Sequence, residues 1–148
     1  NGRDEERLEQ TRLACQEPER HLCWARDLAD ATTLATALPA FLRQHDARVV
    51  GFVHCAALLK VLPLRSVTLA QALDVMNTNV LAALEITRLL LRKDVNSKML
   101  RSVVFVSSIA SQFGARGFAT YCASKAALDG LMKALAVELA PEVRVGRG

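Results

Sequence analysis

Apolar positions come singly at the start of the chain and in runs further on. Residues 4–16 (DEERLEQTRLACQ) set only Leu8 and Leu13 among charged neighbours, which predicts a surface helix ended by Pro18-Glu19-Arg20. Residues 21–28 (HLCWARDL) predict a short strand. Asp30 is placed to cap a helix over 31–45 with Leu34, Leu38, Phe41 and Leu42 on one face, and Pro39 inside it is expected to kink or split it. Residues 48–57 (RVVGFVHCAA) form a nearly unbroken apolar run, the pattern of a strand covered on both faces of a parallel sheet. Thr68-Leu69-Ala70-Gln71 has capping-box spacing and opens a long helix to about Arg92, with Leu69, Leu73, Met76, Val80 and Leu84 as its buried stripe. A second apolar strand (SVVFVSS, 102–108), a helix over 119–139 stopped by Pro141, and a third strand beginning at VRV complete the pattern.

Strand and helix alternate throughout, which predicts an α/β fold with a doubly wound parallel sheet. At 148 residues this is one domain, without repeats or a low-complexity segment. Charged or polar groups interrupt every apolar stretch, so no membrane span is expected. The 19 Lys and Arg are interspersed with 15 Asp and Glu, and the resulting net charge of +4 gives no concentrated basic surface for nucleic acid. Cys15, Cys23, Cys55 and Cys122 form no CxxC pair and have no His at metal-ligand spacing. No metal site is expected, and reduced thiols suit a cytoplasmic protein.

Ligands of an open parallel sheet bind outside the carboxyl ends of its strands. His54 and Cys55 end one strand, Ser107 and Ser108 end the next, and Tyr121 and Lys125 open the following helix. At i and i+4 the phenol and the ammonium share a helical face. A free tyrosine ionises near about pH 10, and a neighbouring cation lowers that value towards the range useful for proton transfer. Taken singly, the Tyr/Lys pair also reads as an ordinary amphipathic turn, and Ser-Ser as a cap.

The order and spacing of five landmarks are similar to those of the short-chain dehydrogenase/reductases over essentially the whole chain. They are ARDLAD, VHCAA, MNTNV, SVVFVSSIAS and YCASK, with Ser108 thirteen positions before Tyr121. The resemblance implies a Rossmann-like fold and a carbonyl/alcohol oxidoreductase. Tyr121 would be the proton donor or acceptor, Ser108 would hold the reacting oxygen, and Lys125 would tune Tyr121 and bond the nicotinamide ribose. Asn79, chosen over Asn77 by its position relative to Tyr121, would hold a water through its backbone. Asp27 and the Leu28 backbone would border the adenine, and Cys55, Ala56 and Ala57 the adenosine ribose. Arg3, following the place where the second strand should end, would meet the 2′-phosphate and favours NADP over NAD. The helices near 69–92 and 119–139 would pack in a homodimer or homotetramer.

The chain departs from the family pattern in three ways. HCAA replaces the common NNAG, with His54 expected to be bonded to backbone rather than to act as a base. The glycine-rich TGxxxGxG turn that receives the pyrophosphate is not in the sequence, nor is the segment past the sixth strand that shapes the substrate pocket. These departures predict a piece truncated at both ends and inactive alone. A dehydratase or epimerase of the same superfamily, and a non-catalytic cofactor-binding scaffold, are the alternative readings.

Overall fold

The computed structural model describes all 148 residues. Helices α1 (Glu5–Leu13) and α2 (Leu34–Gln44) precede strand β1 (Gly51–His54). Then come α3 (Leu69–Met76), a π-turn (Asn77–Leu81), α4 (Ala82–Leu91) and the short α5 (Lys93–Asn96). Strand β2 (Ser102–Phe105), helix α6 (Ala119–Glu138) and strand β3 (Arg144–Arg147) complete the chain. The three strands make one parallel sheet in the order β1-β2-β3, with Phe52 beside Val103 and Val103 beside Val145. Parallel neighbours joined through α3–α5 and through α6 are the crossovers expected of an α/β layer.

One face of this sheet carries the core. Val103 and Phe105 of β2 pack with Leu34, Leu38 and Leu42 of α2, Ala82, Ala83, Ile86, Leu89 and Leu90 of α4, and Leu128 of α6. Phe52 and Val145 pack against the same cluster. Full burial of a leucine at such a site contributes about 2 kcal/mol. The opposite face is open at β1, where Val53 is 59% exposed. The expectation of a strand covered on both faces therefore fails for residues 48–57, because β1 is an edge strand with helices on one side only. Pairing also stops short of the apolar runs, which extend beyond the four residues of β1 and of β2.

Residues 21–28 do not form the expected strand. Ala25 makes a single parallel bridge with Gly2, through Gly2 N–H to Trp24 O and Arg26 N–H to Gly2 O. A ladder needs a partner along its length, and here only one residue offers it. Asp30 does not cap a backbone N–H. Its carboxylate accepts from the Thr32 hydroxyl, a 3₁₀ turn occupies Ala31–Thr33, and α2 starts at Leu34. Leu34, Leu38 and Leu42 are buried as the spacing predicts, and α2 runs through Pro39 without a break. Asp4 caps α1 by accepting from Arg7 N–H at 3.0 Å, but α1 buries nothing and Leu13 is exposed.

The Thr68–Gln71 capping box forms in both directions. The helix it opens is not continuous, because the π-turn interrupts it at Asn77–Leu81. Of the expected stripe only Val80 is buried, whereas Leu69, Leu73 and Leu84 are exposed. The inward face instead follows Val75, Asn79, Ala82, Ala83 and Ile86.

Candidate active site

Lys125 anchors the site. It lies on the second turn of α6, only 2% exposed, and its Nζ donates to Val106 O at 2.8 Å. Val106 is the first residue past β2, and its N–H donates to His54 O at 2.9 Å, so the ammonium sits where β1 and β2 end together. Tyr121, one helical turn earlier and half-buried, presents its ring 5.8 Å from Nζ and meets the edge of Phe118. Two residues beyond Val106, Ser108 is extended and half-buried. Its Oγ accepts from Ala110 N–H at 3.1 Å and caps the 3₁₀ turn Ile109–Ser111, which packs on α6.

Asn79 reaches the same helix from the π-turn. It is fully buried, and its side chain is wholly engaged. Oδ1 accepts from Leu58 N–H at 2.7 Å, while Nδ2 donates to Leu58 O at 3.1 Å and to Ser124 Oγ at 2.9 Å. Ser124 in turn donates to Tyr121 O at 2.7 Å. Asn79 thus fixes the turn that carries Tyr121 and Lys125, leaving only its backbone for further contacts. The buried amide lies within the π-turn, and such turns recur at functional positions.

Burial pulls the Lys125 ammonium below its ordinary pKa, opposed by the charges of Asp129 and Cys55. His54 is also buried, and burial together with Lys125 lowers its pKa to about 4. The carbonyls of Thr78 and Asn79 favour its charged form but do not outweigh burial, and Nε2 has no partner in hydrogen-bond geometry. The expectation of a ring bonded to backbone is not met at that atom. A neutral imidazole is what this site holds at neutral pH.

The residues expected along the adenosine converge elsewhere on the same edge. Arg3, Asp27, Leu28, Ala56 and Ala57 line a cavity of about 440 Å³, together with Arg26, Lys60, Asp74 and Thr78. Cys55 lines an adjoining apolar pocket beside Phe52 and His54 instead. Arg3 and Asp27 stand 4.0 Å apart and exposed, a weak pairing. Lys60 and Asp74 bond at 2.9 Å. Asp27 accepts from Ala29 N–H at 2.9 Å, and Leu28 is buried. Arg26 was legible beside Asp27 in ARDLAD, whereas Lys60 and Thr78 carried no local signal.

Residues 1–147 match the short chain dehydrogenase family. The chain belongs to that family. Among curated proteins, the chain is 35% identical over 94 residues to D-erythrulose reductase of Gallus gallus, covering 63% of this chain and 38% of that protein. A short-chain dehydrogenase from Streptomyces avermitilis superposes with a TM-score of 0.82 at 28% identity, covering 97% of this chain and 52% of the other. One from Shigella flexneri, complexed with NADP, superposes with a TM-score of 0.79 at 31% identity, covering 99% and 62%. The chain therefore spans about two fifths of the curated relative and roughly half to three fifths of the solved ones. The family is one of oxidoreductases, its solved members here include an NADP complex, and the parallel α/β layer is its Rossmann-type fold. No helix of this short chain dehydrogenase is long and apolar enough to cross a membrane.

Proposed function

We propose that this short chain dehydrogenase belongs to a protein that interconverts a carbonyl and an alcohol on a small molecule with NADP(H), Tyr121 giving or taking the hydroxyl proton. The observation that carries this reading is the buried Lys125, bonded to the end of β2 and 5.8 Å from the Tyr121 ring. An ammonium so placed is a fixed positive charge beside the phenol ring. Ser108 Oγ already accepts from Ala110 N–H, so its own proton is free to donate to the substrate oxygen, where charge develops. Asn79 holds the helix turn through Ser124 and offers its backbone to a water beside Lys125. Nicotinamide, when bound, supplies or accepts the hydride.

The residues around the 440 Å³ cavity suit a phosphorylated dinucleotide. Three cations (Arg3, Arg26 and Lys60) face two carboxylates (Asp27 and Asp74). In this reading Asp27 and the Leu28 backbone border adenine, and Ala56 and Ala57 follow the ribose. Lys125 bonds the nicotinamide ribose, and Arg3, held only by its weak pair with Asp27, turns to a 2′-phosphate. That supports NADP over NAD, as does the similarity to the NADP complex. Similarity to D-erythrulose reductase supports a carbonyl substrate. The free thiols suit a cytoplasmic setting. Exposed Leu69, Leu73 and Leu84, with Val137 on α6, supply apolar surface for a homodimer or homotetramer.

In the full-length protein Tyr121→Phe tests the reading. Turnover is expected to fall at least 100-fold, with NADPH affinity measured by fluorescence titration unchanged. Retained turnover defeats the proposal. The 148-residue chain, whose sequence holds no glycine-rich turn, is expected to reduce no carbonyl with saturable NADPH dependence.

A further inference from the structure

Two buried ionisable groups of opposite sign share one face of α6. Lys125 and Asp129 are one helical turn apart, 2% and 5% exposed. Lys125 has a single hydrogen bond, to a neutral carbonyl, and no carboxylate within ion-pair distance. An ammonium removed from water needs a compensating charge, and a carbonyl provides only part of it. Cys55, Tyr121 and His54 are the other titratable groups facing Lys125.

Asp129 is built to stay ionised. Burial opposes its charge, but the hydroxyls of Ser107 and Ser111 and the cations Arg147 and Lys133 outweigh burial and hold the carboxyl below its ordinary range. Arg147, reaching across from β3, stands 3.7 Å from Oδ2, too far for a hydrogen bond, and Oδ2 has no hydrogen-bond partner. Ser107 Oγ, beside the Val106 carbonyl that Lys125 uses, is likewise buried without a partner in hydrogen-bond geometry. One helical turn from the ammonium and equally buried, the Asp129 carboxylate acts on Lys125 along the shared face of α6 while Arg147 acts on it from β3.

We propose that Asp129 is the counter-charge of Lys125, a positioning residue that keeps the buried ammonium charged and seated on the Val106 carbonyl beside Tyr121. Asp129 touches neither substrate nor cofactor in this scheme. It acts through Lys125, with Arg147 modulating it from β3. The inference rests on the role proposed for Lys125 and Tyr121, yet its readout does not involve turnover.

Lysine Cε chemical shifts, followed against pH by NMR and assigned with Lys125→Arg, report the ionisation of Lys125 directly. Asp129→Asn is expected to lower the charged-to-neutral ratio of Lys125 at a fixed pH roughly three- to tenfold. Arg147→Met breaks the same ion pair but leaves the carboxylate, and is expected to raise that ratio. A purely structural role for the pair predicts the same direction in both variants. Equal or parallel shifts, or no shift in Asp129→Asn, overturn the proposal. Arg147 is mostly exposed, so its variant tests the sign should Asp129→Asn fail to fold: an unchanged or lower ratio in Arg147→Met is then the overturning result. An intact Lys125 response alongside an inactive full-length protein would refute the catalytic reading alone.

Discussion

A histidine sealed at the end of β1 makes the stability of this protein depend on pH. His54 has a folded pKa of about 4, below the value near 6.5 it regains on unfolding. Between those values the unfolded chain binds a proton that the folded one refuses. Stability is therefore full above about pH 6.5 and is lost as pH falls towards 4, by at most about 3 kcal/mol from this group. Urea denaturation between pH 7 and 4.5 should show that decline, and His54→Asn should flatten it. Equal slopes in the two proteins would exclude His54 as the cause. Residues of this kind were the least legible in sequence. Tyr121, Lys125 and Ser108 stand out through fixed spacing, but the loss of a ring partner at His54 and the burial of Asp129 depend on what α3, α4 and β3 bring near them.

Elements were legible where one local signal decides. Leucines four residues apart gave the inward face of α2, and Thr68 with Gln71 gave the start of α3, because neither needs a distant partner. The stripe was misread for a physical reason. Two rows of helical spacing compete on this helix, and the core takes the one through Val75, Asn79, Ala83 and Ile86, leaving Leu69, Leu73 and Leu84 outward on both sides of the π-turn. Asn79, within the π-turn, ties this helix to its neighbours through three side-chain hydrogen bonds to Leu58 and Ser124. Asn79→Ala is expected to cost about 2–4 kcal/mol, since it strands buried partners. Asn77→Ala, at a half-buried position two residues earlier, is expected to stay within about 0.5 kcal/mol. Chemical denaturation of the two variants reads the difference directly, and equal losses would mean that the amide of Asn79 is not what ties the helix to its neighbours.

At the scale of the molecule, the alternation of strand and helix sufficed for a parallel α/β layer, but not for its coverage. Whether a strand is covered on both sides depends on which helices pack there. In this chain α2, α4 and α6 share one face, leaving Val53 and the outer leucines of α3 and α4 in solvent. If the proposed self-association uses those leucines, Leu69→Glu with Leu73→Glu should shift the full-length protein to a smaller species in analytical ultracentrifugation, with far-UV dichroism unchanged. An unaltered sedimentation coefficient would place the contact elsewhere.

The pair of hydrogen bonds between the Asn79 side chain and the peptide groups of Leu58 has a mechanical corollary. The segment leaving β1 and the helix bearing Tyr121 are riveted to the same amide, so neither can loosen alone. Amide exchange at Leu58 should thus keep pace with exchange in the opening turns of α6, and a single breathing motion would expose the loop after β1 and the Tyr121–Lys125 turn together.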